Sequence, residues 1–383
     1  MINRKIESKL LEMVKKFPIL AITGPRQSGK TTLCKKLFPK YKYVTMENPD
    51  SKEFAISDPN GFLEEYDEYV IIDEIQNVPE LFSYIQGVVD ESGKIGQYIL
   101  TGSQNFLLLE KISQTLAGRV YIYHLLPFSY TELKKNYNQS QSEYIYKGGY
   151  PRIYDKDINP LDFFPSYIQT YIERDVRAII NVKNLNLFNA FLKLCASRIG
   201  QIFNASSISN DLGVDYKTIQ SWTALLEASF IIHKLQPWHR NFNKRIIKSP
   251  KIYFYDTGLA CHLLNLKHAD ELNTHFAKGN LFENYIINEV IKSRWNNGMS
   301  LTSFFWRDSK GNEIDLLIED GKNIKLIEIK SSKTIKSIFF KGLNYIEKLI
   351  TNYTVSKYLI YGGNESQKRT QVQVLPWNNI SEL

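Results

Sequence analysis

The chain has 383 residues, 43% of them hydrophobic and 23% charged, with a formal net charge of +8. That length predicts two or three domains with ample core material. No apolar run approaches membrane-spanning length, and three scattered cysteines (Cys34, Cys195, Cys261) with no CxxC spacing argue against a disulfide framework or a zinc site.

Met1 to Leu20 mixes Lys and Glu with Leu, Ile and Val, which reads as an amphipathic helix leading into a strand, not a signal peptide. A cytoplasmic protein with no membrane partner is expected. The charge is uneven. Up to Ser140 there are 17 Lys+Arg and 17 Asp+Glu; from Gln141 onward there are 31 against 23, so the whole excess lies in the later residues. An anionic partner for that part of the chain is expected.

The apolar run Phe17–Thr23 is followed by Gly24-Pro25-Arg26-Gln27-Ser28-Gly29-Lys30-Thr31, which fits the phosphate-loop pattern Gly-x-x-x-x-Gly-Lys-Ser/Thr. A helical stretch, Thr31–Leu37, completes the strand–loop–helix context. The glycines let backbone N–H groups close around phosphate oxygens. Lys30 suits the β and γ phosphates, Thr31 suits Mg²⁺, and Thr32 continues the binding loop. The loop pattern fits ATP and GTP alike.

Lys42–Met46 reads as a second strand. The run Tyr69 to Ile72 ends in Asp73-Glu74, a buried-type strand finishing in acid. Asp73 is expected to hold Mg²⁺, and Glu74 to polarise an attacking water as a general base. Pro79–Asp90 reads as a helix. A strand at Gln97–Leu100 leads to Thr101-Gly102-Ser103-Gln104, where Ser103 or Thr101 is the expected γ-phosphate sensor. Arg119 is a candidate to stabilise transferred charge, in its own chain or a neighbour's; the second case requires a homo-oligomer.

Residues 131–142 are polar and are expected to be loop or a frayed helix end, and Gly148–Pro151 is a turn signal. From Pro160 to about Ile180 apolar residues recur at helical spacing, closing on Glu173-Arg174-Asp175. Residues 186–251 predict a winged helix: a helix at Leu187–Ile199, a short one capped by Ser206 or Ser207, and a third capped by Asp215, then a strand at Phe230–Leu235. Between His233 and Lys251 lie Lys234, Arg240, Lys244, Arg245, Lys248 and Lys251 with no acid, interleaved with aromatic residues, an expected nucleic-acid contact.

Near the C-terminus, Glu283 lies on an amphipathic helix, Asp315 on a strand, and Glu328 and Lys330 on the next strand. A hairpin through Glu319–Asn323 is expected to bring Asp315 beside them. Three carboxylates and a lysine on one patch could bind Mg²⁺ and activate water for phosphodiester attack. This arrangement resembles the restriction-endonuclease-like superfamily, with Arg307 just upstream.

Taken together, these motifs resemble a group of prokaryotic AAA-type ATPases that carry a C-terminal domain of unknown function. Carrying residues include Gly24–Thr32, Ile72–Gln76, Thr101–Gln104, Leu116–Arg119, Gly148–Pro151, Tyr255–Leu259, Gly279–Glu283 and Glu328–Ser332. The resemblance implies ATP as ligand and an α/β fold. A P-loop NTPase parallel-sheet domain (1–135) comes first, then a helical, lid-like extension (136–185), a winged helix (186–255) and a restriction-endonuclease-like domain (256–383). Two functions follow as expectations. One is an Mg²⁺-dependent ATPase working on nucleic acid, DNA more than RNA. The other is a nucleotide-gated switch that binds a protein partner, with an inactive nuclease-like domain.

Overall fold

The computed structural model describes residues 2–103, 114–173, 185–238, 248–380 and 383. Five strands, β1 (Ile19–Thr23), β2 (Lys42–Thr45), β3 (Val70–Asp73), β4 (Tyr98–Gly102) and β5 (Val120–His124), form a wholly parallel sheet in the order β2-β3-β4-β1-β5. β1, β3 and β4 are buried along their whole length, as uninterrupted apolar runs in a central parallel sheet must be. Alternate residues feed two cores. Ile19, Ala21, Val70 and Ile72 pack with Phe82 and Ile85, and Leu20, Ile22, Ile71 and Ile99 pack with Ile6, Leu10 and Leu33. Because the strands run in one direction, Thr23, Asp73, Gly102 and His124 all finish at the same edge, where open α/β sheets bind ligands.

The polar stretch 131–142 is not a loop throughout. Helices at Tyr130–Leu133 and Gln141–Lys147 each begin with a capping box, Ser129 with Glu132 and Ser140 with Glu143. The Ser-x-x-Glu spacing was visible in the sequence and outweighs the polarity. The helix Pro160–Tyr167 runs into a π-turn at Ile168–Ile172. Pro165 inside it has no N–H to donate to the preceding turn, which loosens the helical ladder there.

Helices at Leu185–Ser197, Ala205–Leu212 and Tyr216–Ala228 come next, with Asp215 capping the third as expected. The second is capped by Asn204, which accepts from the Ser207 N–H at 3.0 Å, rather than by Ser206 or Ser207. The strands β6 (Ile232–Pro237) and β7 (Lys251–Phe254) pair antiparallel. They do not stand apart as a wing. β6 also pairs with β8 (Ser303–Arg307), making the hairpin the edge of an eight-stranded sheet. The other members are β9 (Glu313–Asp320), β10 (Asn323–Lys330), β11 (Thr354–Tyr361), β12 (Gln367–Lys368) and β13 (Gln373–Pro376). The order is β12-β13-β11-β10-β9-β8-β6-β7.

The helix Thr257–Leu263 folds back onto the earlier helices. The Gly149 N–H donates to Asp256 at 2.8 Å, and a Cβ on Gly258 would lie 2.7 Å from the Lys147 carbonyl oxygen. One apolar core runs from Leu126 to Ile380 and joins the later spans, and a second, with Trp306, Ile314, Leu326 and Leu343, packs residues of the C-terminal sheet against the helix Lys341–Glu347. Among the described residues, no helix is long and apolar enough to cross a membrane.

Candidate functional site

The loop after β1 is built for close approach. Gly24 has φ 151°, and a Cβ there would meet the Leu125 carbonyl oxygen at 2.2 Å. Gly29, at φ 92°, opens the helix Lys30–Leu37, whose free N–H groups face the loop. Lys30 is 5% exposed, and its ammonium donates to the Gly24 and Pro25 carbonyls at 2.9 Å each. Burial pulls its pKa down to about 8, against the attraction of Glu74 and Asp73.

Asp73 ends β3 and is held from three sides. Thr31 Oγ1 and Tyr43 OH each donate to its Oδ2 at 2.8 Å, and Thr101 Oγ1 donates to Oδ1. The strand order explains the set, because β4 lies between β1 and β3 and places Thr101 beside Asp73. Glu74 takes a left-handed backbone, φ 54°. Its Oε2 accepts from Ser103 Oγ at 2.9 Å and from Gln76 Nε2. The two candidate sensors therefore divide: Thr101 serves Asp73 and Ser103 serves Glu74. A hydroxyl and a carboxylate oxygen side by side are the hard oxygen donors that fit Mg²⁺.

Of the two expected roles of Arg119, the one within its own chain is not supported. It precedes β5, whose Val120 lies beside Ile19, whereas the phosphate loop follows Thr23 at the far end of β1. The separation along the strand is roughly 13 Å. Its guanidinium is engaged by Asp90, with Nη2 at 2.7 Å from Oδ2. Within its own chain it does not face the loop. Arg174 lies outside the described residues.

Three features of the site had no motif to announce them. Arg4, 9% exposed, donates to the Ser28 carbonyl at 2.9 Å and to the Leu126 carbonyl, pairs with Glu132 at 3.1 Å, and lies 4.6 Å over the Phe128 ring. Tyr171, on the π-turn, accepts from Gln27 Nε2 at 2.8 Å. A cavity of about 860 Å³ opens beside Gly29, Thr32 and Leu33 and is bounded by Tyr137, Pro151 and Tyr171. The Gly148–Pro151 turn was legible; that it walls this cavity was not.

In the C-terminal sheet, the structure brings the four sequence candidates together. Leu316 sits opposite Ile327, so the β9–β10 hairpin places Asp315 next to Glu328, and the helix Lys278–Asn296 adds Glu283. They line a cavity of about 530 Å³ with Lys251, Arg307 and Glu313. Asp315 accepts from the Ile329 N–H at 2.8 Å, and Lys330 lies 3.2 Å from Asp315 and 2.6 Å from Glu328. Lys251 lies 2.9 Å from Glu283 and also contacts Glu313. Burial and the neighbouring Asp315 push the Glu328 carboxyl up to about 8, and its Oε2 has no hydrogen-bond partner among the described residues. Among the described residues, no His, Cys, Asp and Glu side chains form a group of three or more able to hold a metal ion. Each carboxylate of the expected Mg²⁺ site faces a lysine instead.

The basic segment 234–251 is also corrected in part. Lys251 is 3% exposed and belongs to this cavity, and Lys234 is tied to Glu227 at 2.8 Å. Lys248 is exposed. Arg240, Lys244 and Arg245 lie outside the described residues.

Residues 16–134 match the family model of an AAA domain. That span holds the parallel sheet and is similar to an AAA domain. Residues 138–270 and 278–380 match two further models, both described as domains of unknown function (DUF8612 and DUF4143). An uncharacterized protein of Mycobacterium tuberculosis is 28% identical over 339 residues, 87% of this chain and 74% of that one. An uncharacterized protein of Haemophilus influenzae is 25% identical over 344 residues, 81% and 82% of the two chains. Among solved structures, a Walker-type ATPase of Pyrococcus abyssi is similar at TM-score 0.47 and 16% identity, over 70% of this chain and 96% of that one. AMPPCP-bound DnaA from Aquifex aeolicus is similar at TM-score 0.31 and 15% identity, over 58% and 85%.

Proposed function

We propose that this chain binds ATP with Mg²⁺, hydrolyses it, and couples the turnover to nucleic acid, DNA more than RNA. The carrying observation is the Thr31–Asp73 contact at 2.8 Å beside the buried Lys30, with Glu74 held at the same sheet edge. Lys30 would take the β and γ phosphates. Thr31 and Asp73 would hold Mg²⁺, which supplies charge neutralisation at the phosphates. Glu74, oriented by Ser103, would accept the proton of the attacking water. The 860 Å³ cavity would take the nucleoside. Phosphate release tests the reading directly: Lys30→Ala should bring turnover to background, and wild-type turnover in that variant would end it.

Two observations support coupling. The charge excess lies wholly after Ser140. Buried contacts also lead from the loop to the C-terminal cavity. Arg4 joins Ser28 to Leu126. Glu289 accepts from the Tyr130 N–H at 2.9 Å, and Lys292 donates to the Phe128 carbonyl at 2.9 Å. Glu289 and Lys292 share one helix with Glu283. The same contacts favour the second reading, a nucleotide-gated switch acting on a protein partner. Turnover measured with and without DNA at low salt separates them, since stimulation belongs to the first and indifference to the second.

In this reading the C-terminal cavity does not cut phosphodiester, because lysines already neutralise its carboxylates. Incubating plasmid and linear DNA with Mg²⁺ or Mn²⁺ should give no products. Products that disappear in an Asp315→Ala, Lys330→Ala double variant would overturn this assignment.

A further inference from the structure

We infer that the nucleic-acid interface of this chain is a basic rim beside the C-terminal cavity, formed by Lys333, Lys336, Lys341, Lys368 and Arg369. This rests on the coupling reading above but moves the contact away from residues 234–251. Between Glu328 and Glu347 the chain carries four lysines and no acid. Lys333, Lys336, Lys341, Lys368 and Arg369 are all exposed, and none is ion-paired among the described residues. That separates them from Lys234 and Lys251, whose charges are already spent on Glu227, Glu283 and Glu313.

The rim is continuous with the cavity. β10 ends at Lys330, inside the cavity, and the chain passes directly into Lys333 and Lys336. It then turns at Ser337–Phe340 and returns as the helix Lys341–Glu347. The return is close: a Cβ on Gly342 would lie 2.7 Å from the Glu313 carbonyl oxygen and 3.6 Å from Glu328 Oε2. On the other side, Lys333 and Arg369 line one groove of about 570 Å³, and the Arg369 guanidinium lies 5.1 Å from the Phe340 ring.

The chemistry selects the partner. Flexible lysines act as point charges for phosphate, and they position a polymer without reading its bases. A phosphate row along the rim would run past the mouth of the cavity. A membrane surface would need a broad apolar face between the lysines, whereas Ile338 is the exposed large apolar residue of this turn. Binding should be insensitive to sequence and steep in salt.

The test uses the full chain and fluorescein-labelled single-stranded and duplex DNA, with anisotropy read between about 50 and 200 mM salt. A Lys333→Glu, Lys336→Glu, Lys341→Glu variant is compared with a charge-matched control, Lys15→Glu, Lys40→Glu, Lys52→Glu, whose lysines are exposed on the ATPase domain. The rim variant should weaken binding at least about tenfold and flatten the log K against log salt slope by about two to three, while the control keeps the wild-type slope. Equal loss in both variants, or none in the rim variant, overturns the rim and leaves coupling intact. Wild-type protein that binds no DNA or RNA at low salt, or that binds anionic phosphatidylserine vesicles instead, overturns both. If the triple variant does not melt cooperatively, the milder Lys333→Gln, Lys336→Gln pair carries the test, with an expected slope change of about 1.5.

Discussion

Arg4 and Ser28 are joined by one hydrogen bond, guanidinium to backbone carbonyl, at 2.9 Å. It ties the start of the chain to the loop expected to bind phosphate, across 24 residues of sequence. The same guanidinium is buried against Glu132 and Phe128, so the loop is braced from outside its own strand–loop–helix unit.

Removing that brace should be costly. Arg4→Met would leave Glu132 buried without its cation, holding the N–H donors of Lys5 and Ser129 at 2.7 and 2.8 Å and the Ser129 hydroxyl at 3.2 Å. Breaking one side of a buried pair typically costs about 3–5 kcal/mol. Urea denaturation should report a loss of that size, and calorimetry a weaker ATP affinity. A variant as stable as wild type would refute the brace.

Glu74→Gln should separate binding from turnover. The amide keeps the size of the side chain but cannot accept the water's proton, so turnover should fall by about 10²–10⁴ with ATP affinity unchanged. Ser103→Ala should give a smaller fall, because the hydroxyl only orients the carboxylate, 2.9 Å away. Unimpaired phosphate release by Glu74→Gln would remove Glu74 from the chemistry.

Acid should destabilise the fold through two buried histidines. Burial lowers His124 and His233 from 6.5 to about 4, and both stay neutral in the native state. The unfolded chain binds the extra protons, so stability declines as pH drops from about 6.5 towards 4. At pH 5 the loss is about 2 kcal/mol per histidine. Denaturation at pH 7 and pH 5 checks this, and the expected loss should shrink in a His124→Asn, His233→Gln variant.

Glu328 should act with the opposite sign. Burial and Asp315 raise its folded pKa from 4.5 to about 8, so the native state holds the extra proton. Its contribution is complete below about pH 4.5 and is lost as pH rises to about 8. Glu328→Gln should flatten the stability profile between pH 5 and 8 by roughly a few kcal/mol. An unchanged slope in urea titrations at the two pH values would count against it.

Much of the site was legible because its signals are local. The phosphate loop needs a strand before and a helix after, and both were written as runs of residue type. The pairing of Glu328 with Lys330 follows from strand alternation, and Asp315 joins them through one hairpin. The capping boxes at Ser129 and Ser140 were equally local, yet the polarity of 131–142 masked them.

The sequence by itself determined the nucleotide loop, its acids and the four-residue C-terminal cluster, since each depends on periodicity or on spacing within one supersecondary unit. Tertiary structure alone decided that Arg119 sits at the end of its own sheet away from the loop, that Lys251 is an internal counter-ion, and that Arg4 braces the loop. Those outcomes depend on which strands become neighbours and which edge they share. That is settled by long-range packing of two-sided apolar strands, and no local residue pattern encodes it.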